Sequence, residues 1–135
     1  MDIRMLLKSS DSLDLYSDNK PYDFYVHLPR PLTLTGFWTV SLLEVCMFNN
    51  KRTDLYIYTN LCEDTIVGDK ELPLLRRVYS KRSSPNEIFT YPYEVPTRLG
   101  QVHDVHIYIK DATGQEASFL RGDTSVILEL KLKSI

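Results

Sequence analysis

Glycine is scarce, with five residues in 135, and none are spaced as a phosphate-cradling loop requires. Cysteine is scarcer still: only Cys46 and Cys62 occur, too few for a disulfide framework or a four-cysteine zinc site. No apolar run approaches the roughly 20 residues of a membrane-spanning helix. The opening stretch from Met1 to Lys8 is too short in apolar residues for a secretory leader. An excess of one charge is missing as well. Sixteen basic and 18 acidic residues give a net charge of −2, so no global positive field exists to hold nucleic acid by its backbone. No nucleophile elbow is present. With these classes set aside, the expectation is a binding or structural protein that catalyses nothing and needs no cofactor.

What the chain does hold is enough apolar mass for one core. Hydrophobic residues make up 43%, far above the disordered range, and 135 residues are one domain's worth. No internal repeat, low-complexity tract or linker divides the chain. Both cysteines lie in apolar, strand-like runs. The expectation is two reduced, mostly buried thiols in an intracellular compartment, with a single disulfide as the alternative.

Alternation at period two recurs almost everywhere and sets the fold class. Ile3, Met5 and Leu7 share one face, as do Phe24, Val26 and Leu28. Trp38, Val40 and Leu42 alternate cleanly, and the phase then slips before Val45, which predicts a bulge or corner near Leu42 and Leu43. Leu55–Thr59, Glu87–Tyr91 and Val105–Lys110 read as strands. The clearest is Val126–Lys133, with Val126, Leu128, Leu130 and Leu132 inward and Glu129, Lys131 and Lys133 toward water. Leu72–Tyr79 reads as strand, with a helix begun at Pro73 as the alternative. About eight antiparallel strands result, the number of a single jelly-roll β-sandwich spanning residues 1–135.

The separators are turn chemistry. Ser17–Pro21, Ser83–Asn86 and Arg121–Asp123 read as exposed connections. Val67–Lys70 and Asp111–Gly114 read as tight turns, the second a type I turn closed by Gly114 in a left-handed conformation. Pro29 and Pro31 lack the donor a ladder needs and are expected to break it.

Few residues could carry chemistry. His103, Asp104 and His106 are the only compact group of metal-type ligands, yet an odd spacing puts the two histidines on opposite faces of a strand. They are expected to be surface histidines. Glu63, Asp64, Asp69 and Glu71 form an acidic group around a turn, expected to be a solvated loop. Arg76, Arg77, Lys81 and Arg82, with Tyr79 among them, form a basic stretch. It suits either a weak nucleic-acid contact or an acidic neighbour. Tyr56 and Tyr58 share a strand face; this stripe either meets another protein or is covered within the monomer.

Several blocks together resemble a known family. They are Asp18–Lys20 leading into Phe24–Leu32, the Gly36-Phe37-Trp38 strand running to Val45, and Leu55–Leu61. After these come Val67-Gly68-Asp69 with Pro73-Leu74-Leu75-Arg76, and Asp104–Asp111 with Gly114 and Phe119. This order resembles the capsid-type proteins of Polinton (Maverick) elements and of related adintoviruses and adomaviruses, over roughly Asp18 to Leu132. The resemblance implies a viral or virus-derived structural protein. A major capsid protein of such lineages has two jelly rolls and is far longer, so the implied role is the minor capsid protein that forms pentamers at icosahedral vertices, the penton. Its implied partners are further copies of itself, a major capsid protein and, weakly, packaged nucleic acid, with no membrane and a place in the virion. The relatives carry a long insertion between the tryptophan strand and the Leu55–Tyr58 strand. Here only Phe48 to Asp54 separates them, so insertion-borne decoration is not implied, and a cement or accessory role stays open. The residues expected at subunit contacts are Tyr56, Tyr58, Glu63, Asp64, Asp69, Arg76, Arg77 and Arg82. A lectin-like ligand-binding sandwich, stacking sugars on Trp38 or the tyrosines, is the alternative from the residues alone.

Overall fold

Period-two alternation becomes pairing. The computed structural model describes residues 2–81 and 85–134. Among them are eleven strands: β1 (Asp2–Lys8), β2 (Asp23–Leu34), β3 (Phe37–Phe48), β4 (Thr53–Thr59), β5 (Thr65–Val67), β6 (Lys70–Leu72), β7 (Leu74–Ser80), β8 (Asn86–Ile88), β9 (Val95–Pro96), β10 (Gly100–Asp111) and β11 (Arg121–Ser134). All named pairs are antiparallel. One sheet runs β1–β11–β3, with β8 and β9 both along the far side of β3; the other runs β2–β10–β4–β7. Strands β5 and β6 form a separate hairpin. The all-β sandwich expected from the sequence is therefore the architecture.

The pairing is nested. First pairs with last (β1 with β11), second with second-last (β2 with β10), β3 with the β8–β9 edge and β4 with β7. Counting β8 and β9 as one interrupted edge gives eight principal strands in the two facing sheets. The core fills the space between the two sheets. Phe24, Leu55, Ile57, Ile107 and Ile109 meet Val40, Leu42, Val45, Leu128 and Leu130 there, all of them essentially inaccessible. Trp38 lies with them and donates its indole N–H to the Thr35 carbonyl at 2.8 Å. It is thus a core residue and no stacking platform for sugar.

The phase slip in the sequence is a bulge. Ile127 pairs with Glu44 and Leu128 with Leu42, so Leu43 is the extra residue, and its carbonyl accepts the Phe89 N–H at 2.9 Å. Without it, Val45 and Met47 would face the wrong side. Leu75 is likewise extra, between Arg76 opposite Ile57 and Leu74 opposite Tyr58. The Leu72–Tyr79 run is divided: Leu72 ends β6, Pro73 lies in no strand, and β7 takes up the rest, so no helix begins at Pro73. Gly68 (φ +66) opens the two-residue turn between β5 and β6, and Gly114 (φ +85) closes the Asp111 turn as expected.

Four expectations need correction. Strand β2 continues through Pro29 and Pro31 to Leu34. Between Asp104 opposite His27 and Val102 opposite Leu32, residues 28–31 bulge against His103 alone, so neither proline has to donate to the ladder. Arg121–Asp123 is the start of β11, where residues 122–124 bulge opposite Met47. Asp123 there accepts the Ser9 and Ser10 hydroxyls, each at 2.7 Å. Glu129 does not face water. It is buried on the outer side of its sheet, held by Arg4 across the ladder at 3.0 Å and by Lys131 at 3.6 Å. Of Glu87–Tyr91, only Glu87 and Ile88 belong to a strand, β8. Both thiols are free, Cys62 buried and Cys46 half-buried, so the disulfide alternative is not realised.

Candidate interaction surfaces

Alternation sends one set of side chains on β2, β10, β4 and β7 away from the core. Register then lines up rings from different strands, since His106 sits opposite Tyr25 and Tyr108 opposite Tyr58. The result is a ladder of five rings. Tyr16 stacks on Tyr25 at 5.1 Å, Tyr25 on His106 at 4.0 Å, His106 on Tyr108 at 4.7 Å and Tyr108 on Tyr58 at 5.0 Å. Two carboxylates fix the histidines beside it: Asp23 Oδ1 lies 2.6 Å from His106 Nε2, and Asp104 Oδ1 lies 2.9 Å from His27 Nδ1. A hydrogen bond from the Tyr16 hydroxyl, and then the His27 ring, hold the Asp104 carboxyl below the usual carboxylate range. The same bond raises the Tyr16 hydroxyl. His103 is exposed at the β10 bulge. Among the described residues, no three His, Cys, Asp or Glu side chains gather where a metal ion could sit.

The tyrosine stripe divides. Tyr58 is only 3% exposed, and burial raises its hydroxyl. It is therefore covered within the chain and offers no face to a neighbouring subunit. Tyr56 is half-buried at the rim of a cleft of about 340 Å³, whose walls include Val67, Lys70, Leu72 and Lys110.

The acidic group lies along the β4–β5–β6 stretch, with Glu63, Asp64, Asp69 and Glu71 all exposed. Asp64 has an intrachain partner: Arg98 donates to it at 2.7 Å while also donating to the Cys62 carbonyl at 2.7 Å. Glu63 donates its backbone N–H to Pro96, and Asp69 sits at the hairpin tip.

Arg76 and Arg77 do not form one basic patch. Adjacent strand residues face opposite ways. Arg77 is exposed on the outer face, while Arg76 turns toward the other sheet. Its guanidinium carbon lies 3.9 Å from the Phe89 ring centre and 4.0 Å from that of Tyr93, and Nη1 donates to the Tyr91 carbonyl at 3.3 Å. Arg76 is thus a clamp that ties the 89–93 segment to β7, and it is already spent within the chain. Arg82 lies outside the described residues, as do Ser83 and Ser84 of the connection beside it.

Sequence reasoning passed over the two lateral edges. The connection from β1 to β2, residues 9–22, runs along the free side of β2. There Asn19 exchanges two hydrogen bonds with the Tyr25 backbone (2.8 and 3.0 Å), and the Ser12 hydroxyl accepts the His27 N–H at 2.9 Å. At the other edge, β7, β8 and the clamped 89–93 segment expose Tyr79, Ile88 and Tyr91, the last 84% accessible. The available signal was a cluster of Leu, Tyr and Ile outside any clean alternation. The chain matches no protein-family profile and no curated protein.

Proposed function

We propose that the chain is a viral or virus-derived structural protein, a minor capsid subunit of the vertex (penton) type that works by self-assembly. The observation that carries this reading is the nested pairing of eight principal strands in two facing sheets. Such nesting supports the jelly roll implied by the blocks that resemble Polinton-type capsid proteins. The reading has the chain join further copies as a pentamer and meet a major capsid protein in the virion, with neither cofactor nor membrane. A cement role uses the same surfaces without the vertex ring. Among the described residues no helix is long and apolar enough to cross a membrane.

The test is mass in solution by light scattering over a concentration series. A discrete ring of about five copies supports the vertex role; a strict monomer, alone and with the major capsid protein, refutes it. One observation favours a second reading, a ligand-binding sandwich: the cleft beside Tyr56 with Lys70 and Lys110 on its walls. Specific hits for the monomeric protein on a glycan array would support that reading against the first.

A further inference from the structure

We propose that the two lateral edges of the sandwich are the two halves of one head-to-tail contact between copies of this chain, an inference that rests on the self-assembly reading and names its surfaces. The edges lie on opposite sides, β1 and β2 ending the two sheets on one and β8 and β7 on the other. They differ in charge. Residues 9–22 carry three aspartates against one lysine, whereas residues 74–81 carry Arg76, Arg77 and Lys81 with no acid.

The first edge shows Leu13 and Leu15 to solvent, Leu15 at 60%, with Asp14 and Asp18 exposed beside them. Neither aspartate is in an ion pair among the described residues. The bonds of Ser12 and Asn19 to β2 hold this edge in place. On the second edge, Arg77, Tyr79 and Lys81 alternate outward from β7, next to the exposed Ile88 and Tyr91. Arg77 and Lys81 are likewise without an ion pair among the described residues, and the Arg76 clamp fixes the 89–93 segment. Glu87 on β8 is half-buried.

Each edge therefore offers an apolar centre with charge around it, the layout of a protein contact in which tyrosine supplies area and charge sets the register. Acid against acid repels, so neither edge suits a two-fold contact with itself. Acid against base suits a heterologous contact, which repeats into a ring when its rotation closes.

The test is charge reversal, read by light scattering and sedimentation on the full chain, with circular dichroism to verify folding. Asp14→Lys with Asp18→Lys, or Arg77→Glu with Lys81→Glu, is expected to raise the concentration of half-assembly more than about tenfold. Combining all four substitutions in one chain is expected to restore assembly, whereas mixing the two variants is expected to restore pairwise association but no five-membered ring, since an odd ring leaves one like-charged contact. If the unaltered chain assembles and the folded single-edge variants do so equally well, the edge assignment is overturned while self-assembly stands. A folded chain with all four substitutions that fails to assemble overturns it too. An unaltered chain monomeric at every concentration defeats the self-assembly reading and this one together. If Arg77→Glu with Lys81→Glu abolishes duplex DNA binding but leaves assembly intact, the basic edge is a nucleic-acid surface and the proposal is wrong.

Discussion

Replacing Arg76 with alanine removes a planar cation from between two rings. The Phe89 ring lies 3.9 Å from the guanidinium carbon and is 9% exposed, so that contact is largely desolvated. It belongs near the upper end of the cation–π range, about 1–2 kcal/mol. Tyr93, at 4.0 Å, is 62% exposed, which puts its contact near about 0.5 kcal/mol. The bond to the Tyr91 carbonyl is long at 3.3 Å and adds about 0.5–1 kcal/mol net. Against these stands Arg76 Nε, buried with no hydrogen-bond partner among the described residues, a cost of about 1 kcal/mol that alanine relieves. The balance is a loss of about 2 kcal/mol.

Urea unfolding reads this directly. With a slope of about 2 kcal/mol per molar, the midpoint should fall by about 1 M with the slope unchanged. Arg76→Lys keeps the charge but loses the flat face that stacks on both rings, and should recover less than half of the fall. Hydrogen exchange should quicken in the 86–93 segment before it does in β10 or β11, because the clamp holds only that edge. A midpoint within about 0.2 M of the unaltered chain, or a lysine variant as stable as arginine, would refute the clamp and return Arg76 to the set of free surface cations.

Burial pushes the Cys62 thiol up to about 12, only partly opposed by Arg98. A thiol reagent at pH 8 should leave it untouched until the chain is unfolded. Because the unfolded thiol loses its proton first, this group should lower stability as pH rises from about 9 to 12. The Asp104 carboxyl is lowered in the fold, chiefly by Tyr16 and then by His27. Its contribution is present above the ordinary carboxylate value and lost as pH falls through the folded one. Asp104→Asn should accelerate amide exchange in residues 12–27 at neutral pH. Deleting Leu43 should leave no stable fold by circular dichroism, since β3 beyond it would turn Val45 and Met47 outward; a cooperative thermal transition close to that of the unaltered chain would contradict the bulge. Asn19→Ala should bare the Tyr25 backbone at a strand edge and cost about 1–3 kcal/mol in urea unfolding, with greater amyloid-dye binding on incubation.

Strand positions were legible because burial on one face leaves a period-two trace within a single segment. The Leu43 bulge was legible for the same reason, as a slip in that trace; the Leu75 bulge was not read from the sequence. What failed depended on a partner strand. Pro29 and Pro31 stay inside β2 because β10 sets only His103 against the whole stretch, a fact of register that no local pattern holds. Glu129 reads as outward, which it is, but Arg4 on β1 and Lys131 cover it. The ring ladder draws on β2, β10, β4 and the 9–22 connection, so no segment contains it. Arg76 and Arg77 were a different kind of miss: neighbouring strand positions face opposite ways, and that rule alone separates them.

The way the free edges are closed decides what kind of assembly this sandwich permits. An open strand edge invites another strand and tends toward unlimited stacking. On β2 that route is shut twice, by Asn19 and Ser12 on the Tyr25 and His27 backbone and by two prolines further along. At the far edge β8 is three residues long and β9 two, too short to template a ladder. These closures guard β2 and the β8–β9 edge, while β1 and β7, seven residues each, end their sheets paired on one side among the described residues. In the proposed head-to-tail assembly, a side-chain contact that recurs from copy to copy gives an assembly of limited size when its rotation closes, and an open filament when it does not.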